Sequence, residues 1–290
     1  METVLVTGAN GHLGRWIAED LARDSDVLAL VRRPEPAPGR VVLHDLASDA
    51  PVEGSFHAVV HVGGETDVRR CQEQPLLATR ANVGGTVKLL EAARAAGARK
   101  FVYVSTGTVY APTDGPVSED FPVRPRDVYS LTKLQAEEAC RYYSQFFPVV
   151  VLRYFFPYGP RTHPGRLVNA VLSRVREGRE VLLHQEGRPR VNPIFVEDLV
   201  AATRFALESD LPGFTLLNVA GEERVDIPTI ARTIGDLLGV APRFRETGER
   251  PTDVLADVAR LRKLGFSPKF DLRRGLARTL ALDAAGAPPR

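Results

Sequence analysis

A tyrosine and a lysine stand four residues apart in Tyr129-Ser-Leu-Thr-Lys133. On a helix that spacing puts both on one face. The ammonium then stabilises the phenolate and draws a high tyrosine pKa toward neutrality. Such a pair is an acid/base for a proton on a sugar or alcohol oxygen. Far upstream, Thr7-Gly-Ala-Asn-Gly-His-Leu-Gly14 carries three spaced glycines. Glycine at such a turn lets the backbone approach a pyrophosphate, and the following helix N-terminus favours its charge. A dinucleotide there moves a hydride to match the proton. Together the two motifs specify redox chemistry at a carbon–oxygen bond.

The glycine segment assigns Gly8, Asn10, Gly11, His12, Leu13 and Gly14 to the cofactor. The end of the second strand reads Val31-Arg32-Arg33, with no carboxylate until Glu35. An acid at the strand end bonds a ribose 2′-hydroxyl, whereas arginines clamp a 2′-phosphate. Arg32 and Arg33 therefore favour NADP(H), with NAD(H) as the alternative. Asp45-Leu46 follows the third strand, where an aspartate can accept from the adenine amino group.

Positioning these residues requires a sheet. Short apolar runs at 4–7, 27–31, 41–43, 58–62, 100–105 and 149–152 read as buried strands. Helical spacing follows the glycines and recurs at 75–96 and 127–146. Strands buried on both faces and alternating with helices mean an α/β fold, a Rossmann-type doubly wound parallel sheet. Beyond 160 the pattern loosens. Helices are expected at 165–178, 227–238, 257–264 and 272–283, with strands at 193–196, 216–219 and 242–245. Residues 1–160, rejoined by 193–221, form the expected dinucleotide-binding domain. Residues 161–192 and 222–285 form a smaller C-terminal α/β substrate lobe, and 286–290 a frayed tail. His184 and Asn218 stand in no motif and read as structural.

Composition bounds the rest. The 290 residues are 44% hydrophobic, enough for a large core. A net charge of +2 spread over the chain does not suggest nucleic acid. Cys71 and Cys140 form neither a disulfide framework nor a metal spacing, so no metal is expected. No basic n-region precedes the first strand and no apolar run could span a bilayer. A cytoplasmic enzyme without a membrane partner is the expectation.

With these motifs in place the chain resembles the extended short-chain dehydrogenase/reductases, a family of sugar-nucleotide epimerases, dehydratases and reductases. The likeness runs from Val4 to about Leu282. It rests on the glycine segment, Val60-His-Val-Gly-Gly64, Asn82-Val-Gly-Gly-Thr86, Val104-Ser-Thr-Gly-Thr-Val-Tyr110, the tyrosine–lysine pair, Leu152-Arg-Tyr-Phe-Phe-Pro-Tyr-Gly-Pro160 and Phe195-Val-Glu-Asp198. The resemblance implies that Thr106, Tyr129 and Lys133 are catalytic, Lys133 also bonding the nicotinamide ribose. It implies further cofactor contacts at Val62, Gly63, Gly64, Asn82, Ser105, Tyr154 and Phe155. It places the substrate, a sugar or nucleotide-sugar, near Thr108, Phe156, Arg190 and Arg250. A homodimer is implied through helices carrying Leu89, Leu90, Ala93, Ala136 and Tyr143.

Three departures narrow the reaction. Dehydratases of the family carry an Asp-Glu pair after the threonine, where this chain has Gly107 and Thr108. Without that acid and base, 4,6-dehydration is not expected. Phe156 stands where many relatives have a diphosphate-contacting asparagine. Val191 stands near the place of an arginine for the same phosphates, with Arg190 adjacent, while Arg250 matches a basic phosphate position. The arginines after the second strand lean toward an NADPH-dependent ketoreductase. The alternative is an epimerase that keeps its cofactor, and behind both stands a non-catalytic NADP-binding sensor.

Overall fold

Residues with no need of solvent on either face build the central strands. The computed structural model describes residues 2–163 and 165–285; the tail expected to fray, 286–290, lies outside them. Strands Thr3–Thr7 (β1), Asp26–Val31 (β2), Arg40–Leu43 (β3), Ala58–His61 (β4) and Lys100–Thr106 (β5) join Val149–Tyr154 and Phe214–Val219 in one seven-stranded sheet. Its order is Phe214–Val219, Val149–Tyr154, β5, β4, β1, β2, β3. The pairings β1–β2, β1–β4, β2–β3 and β4–β5 are parallel. The fold is α/β and doubly wound, as expected from the alternating runs. β1 lies between β2 and β4, so the winding reverses there, and ligands of such sheets bind outside the strand ends at that switch. The register pairs Thr7 with His61, which brings the glycine turn after β1 beside Val62-Gly63-Gly64 after β4.

Local chemistry sets the helix ends. Helix His12–Leu21 (α1) begins at Gly11 with no side-chain cap. The helix Val128–Tyr143 starts on a capping box, Asp127 with Ser130, which fixes the turn that carries Tyr129. The single helix expected over 75–96 is broken. It runs as Pro75–Thr79, a widened π turn Arg80–Gly84, and Gly85–Ala95, with a further helix Val68–Glu73 before it. Gly85 lies against Leu46, and a Cβ there would come within 2.8 Å of the Leu46 Cβ. The widened turn carries Asn82 inward to 3% exposure.

Leu89, Leu90, Ala93 and Ala136 are fully buried in the sheet's hydrophobic core, and Tyr143 joins them with its hydroxyl on Glu91. These residues face the sheet, so they cannot form the dimer surface expected of them. The exposed apolar residues of the same long helix are Leu131, Tyr142 and, just past its end, Phe146.

The chain divides into two compact units. The first holds Met1–Ala111, Pro122–Arg153 and Val200–Leu217; the second holds Pro112–Phe121, Tyr154–Leu199 and Asn218–Arg290. The division thus falls at Tyr154 rather than 160, and 200–217 rather than 193–221 rejoins the first unit. Within the second unit very short strands pair in parallel: Pro116–Val117 with Leu255–Ala256, Pro157–Tyr158 with Ile194–Phe195, and Val181–Leu183 with Phe244–Glu246. Helix Ile227–Leu238 matches its expected bounds, capped by Asp226 and ended by left-handed Gly239. His184 and Asn218 serve structure: the His184 ring bonds the Thr247 hydroxyl at 2.6 Å, and the Asn218 amide donates to Val117 O at 2.9 Å.

Candidate active site

The glycine turn is packed too closely on neighbouring backbone to admit side chains. Gly8 sits at φ +65, and a Cβ on it would lie 2.8 Å from the Gly63 Cα. A Cβ on Gly14 would lie 2.1 Å from the Gly8 carbonyl oxygen. Helix α1 starts directly after this turn, with no side-chain cap at Gly11. A pocket continues from it, lined by Gly8, Asn10, Arg32, His44, Asp45 and Leu46 among others. Asp45 also accepts from Ala47 N at 2.9 Å, closing the turn after β3. Arg33 is exposed. The Asn10 amide donates to the Glu35 carboxylate at 3.4 Å. An acid therefore does reach the cofactor loop, though it lies beyond the strand end.

A directed hydrogen-bond chain ties this loop to the tyrosine helix. The Thr7 hydroxyl accepts from Val62 N at 3.1 Å and Gly63 N at 2.9 Å, and lies 2.7 Å from His61 Nδ1. His61 Nε2 lies 3.0 Å from the Thr86 hydroxyl, which donates to Asn82 O at 2.5 Å. Burial, then the Lys133 charge, hold His61 well below its ordinary pKa, so the ring is neutral. Since Thr86 gives its proton to Asn82, His61 must donate from Nε2 and accept from Thr7 at Nδ1. The Asn82 amide continues the chain, donating to Glu65 O at 3.0 Å and to the Thr132 hydroxyl at 2.9 Å. Thr132 in turn donates to Tyr129 O at 2.9 Å. The sequence pointed to Asn82 but not to His61, Thr86 or Thr132. The visible signal was a lone histidine inside the apolar run Val59-Val60-His61-Val62.

Tyr129 is 9% exposed and packs on Cys71 and Ala78. Lys133 is 5% exposed, with its ammonium 4.2 Å from the centre of the Tyr103 ring. Burial lowers the Lys133 pKa to about 8, against the opposing influence of Glu137 and Cys140. The Thr106 hydroxyl ends β5 and lies 3.1 Å from that of Thr108, which is exposed. The Ser105 hydroxyl, in contrast, is turned inward onto Glu137, so its side chain is spent on the protein rather than on a cofactor.

The other expected residues belong to the second unit. Tyr154 and Phe155 are buried. Phe156 adopts φ +44, a left-handed conformation rare for a bulky side chain. The Arg190 guanidinium is held by Asp253, with Nε 2.7 Å from its carboxylate, and Arg188 reaches the same carboxylate at 3.0 Å. Arg250 is half exposed and 3.6 Å from Asp114. Arg188, which no motif singled out, is thus part of a cluster of three arginines and two aspartates. Among the described residues no group of three or more His, Cys, Asp or Glu could hold a metal ion, and no helix is long and apolar enough to cross a membrane.

A glycine cradle at the switch point of a parallel doubly wound sheet defines a dinucleotide-binding fold. Residues 4–220 match the NAD dependent epimerase/dehydratase family, and the chain belongs to that family. It is 26% identical over 307 residues to the uncharacterized UDP-glucose epimerase YtcB of Bacillus subtilis (strain 168), covering 96% of each. It superposes on MoeE5 in complex with UDP-glucuronic acid and NAD with TM-score 0.88 and 27% identity, covering 99% of this chain and 100% of that one. The Thermus thermophilus UDP-glucose 4-epimerase complex with NAD gives TM-score 0.84, again at 27% identity and the same coverage. This protein is an enzyme of a nucleotide-sugar family. The preference for NADP and the ketoreductase reading gain no support from these relatives, whose complexes hold NAD.

Proposed function

We propose that the protein is a nucleotide-sugar 4-epimerase that retains NAD. The single observation carrying this reading is full-length likeness to UDP-sugar 4-epimerases combined with a buried Tyr129–Lys133 turn. Gly107 and Thr108, in place of an acid and a base, argue against dehydration. Glu35 beside Asn10 replaces the arginines as the residue that selects the cofactor, because a carboxylate there bonds a ribose hydroxyl and repels a 2′-phosphate.

The turn fits a dinucleotide: glycines at 8 and 14 let it pack directly on Gly63 and let α1 pack on the turn, where a Cβ would strike backbone, the close approach such a binding turn requires. Gly8, Asn10, Gly11, His12, Leu13 and Gly14 would hold the diphosphate, Asp45 and Leu46 the adenine, and Asn82 and Lys133 the nicotinamide ribose. Bound NAD supplies the hydride acceptor and donor. Tyr129 takes the proton from the sugar 4-hydroxyl as that carbon is oxidised, and returns it when the turned keto-sugar is reduced on its other face. Thr106 bonds the reacting oxygen. Lys133 stabilises the phenolate that takes this proton and that is left again once the keto-sugar has been reduced. Arg190 and Arg250 are the candidate residues for the substrate diphosphate.

Purified protein given UDP-galactose, UDP-glucose or UDP-glucuronate should form the 4-epimer with no added nucleotide. NADPH consumption with a keto-sugar, without epimer formation, would restore the reductase reading. A homodimer would meet through the exposed Leu131, Tyr142 and Phe146; sedimentation showing only monomer at micromolar concentration excludes it. The two buried cysteines, not joined in a disulfide, accord with a reducing, cytoplasmic setting.

A further inference from the structure

A buried polar cluster lies one helical turn beyond Lys133. Glu137 is 2% exposed and accepts from three donors: the Ser105 hydroxyl, Arg153 Nε at 3.0 Å and Arg153 Nη2 at 2.5 Å. The last two form a two-pronged guanidinium–carboxylate pair. Arg153 is itself 3% exposed and stacks 4.5 Å over the Tyr110 ring. The cluster joins three elements: β5 through Ser105, the Tyr129 helix through Glu137, and the strand Val149–Tyr154 through Arg153. Ser105 is the chain neighbour of Thr106. Glu137 stands four residues after Lys133, on the same helix face.

We propose that Glu137 is a positioning residue for the reaction, clamping the Thr106 end of β5 to the Lys133 turn and supplying the counter-charge that holds the Lys133 ammonium in a dry site. Two observations carry this. A buried ion pair is no more stabilising than apolar residues of the same volume, so stability alone does not account for one here. The groups that act on the Lys133 charge also single out one carboxylate, Glu137, beside the Cys140 thiol. Tyr103 from β5 and Cys140 from the same helix are both pushed up by burial and stay neutral. His61 from β4 is neutral, Arg153 behind Glu137 is a cation, and Tyr129 is the reacting phenol. The Glu137 carboxylate is the largest influence opposing the burial that lowers the Lys133 pKa.

The inference rests on the Tyr129–Lys133 reading, and the test separates the two. The chain holds five lysines, so lysine-selective 13C labelling resolves the Lys133 titration directly in the NAD-bound enzyme. Glu137→Gln should lower the Lys133 midpoint by about one pH unit. The alkaline limb of kcat with UDP-galactose should move down with it, while KM changes less than about twofold. Glu137→Asp should restore the midpoint but keep kcat several-fold low, because the shorter arm cannot reach both Ser105 and Arg153. A Lys133 midpoint unmoved by Glu137→Gln would overturn the proposal even if kcat fell. If Glu137→Gln does not fold, Ser105→Ala and Glu137→Asp decide. Lower kcat at constant KM supports the clamp, and unchanged kcat in both overturns it. A fully active Tyr129→Phe would sink the catalytic reading while leaving the Lys133 titration to report on Glu137.

Discussion

Replacing Lys133 by methionine should abolish turnover and stabilise the protein. The ammonium is buried, and its pKa falls from 10.5 to about 8. Lys133 therefore binds its proton less tightly in the fold than in the open chain. Its charging opposes folding below about pH 8, and the penalty fades as pH rises from 8 to 10.5. A fall of that size corresponds to about 3 kcal/mol near neutral pH. Lys133→Met keeps the apolar stem and removes the charge. It also removes the ammonium over the Tyr103 ring, a loss of about 1–2 kcal/mol in a dry site. The net gain expected at pH 7 is about 1–2 kcal/mol, seen as a rise in Tm of about 2–5 °C for a chain of this size. Urea unfolding of cofactor-stripped wild type and variant at pH 7 and pH 9.5 measures it. The gap should be widest at pH 7 and shrink at pH 9.5, where the wild-type lysine has lost its proton. A variant less stable than wild type at pH 7, by an amount that does not change with pH, would refute the reasoning and make Lys133 a packing residue.

Two further perturbations test the cofactor side. Gly14→Ala places a methyl 2.1 Å from the Gly8 carbonyl oxygen; it should cost about 2–3 kcal/mol and leave the purified protein without NAD, whereas retained NAD at wild-type stoichiometry would show that the cradle is elsewhere. Glu35→Gln should narrow the preference for NAD over NADP by about tenfold in calorimetric titration, and an unchanged ratio would return the choice of cofactor to Arg32.

The sequence made the sheet legible because β1, β2, β4 and β5 are buried runs bounded by glycine or charged turns, with little competing pattern. It made the Tyr129 turn and the glycine cradle legible because both depend on local spacing. What it hid depends on distant packing. The π turn at Arg80–Gly84 interrupts an unbroken helical period, and the contacts beside it, Asn82 on Thr132 and Gly85 against Leu46, are all long-range. Glu35 looked too far along to matter, yet the loop after β2 folds it back onto Asn10. Leu89, Leu90, Ala93 and Ala136 share a helical face, but periodicity does not say whether that face meets the sheet or a second chain. In the second unit, strands of two or three residues give no periodic signal, so the Arg188–Asp253–Arg190 cluster came into view only with the coordinates.

The most direct test uses a UDP-sugar deuterated at C4 with the enzyme as purified and no added nucleotide. The 4-epimer should form with deuterium retained at C4, and Tyr129→Phe should lose this conversion while keeping bound NAD. Deuterium lost from the sugar into free nicotinamide, or epimer formed as fast without the tyrosine hydroxyl, would contradict a retained-cofactor epimerase working through Tyr129.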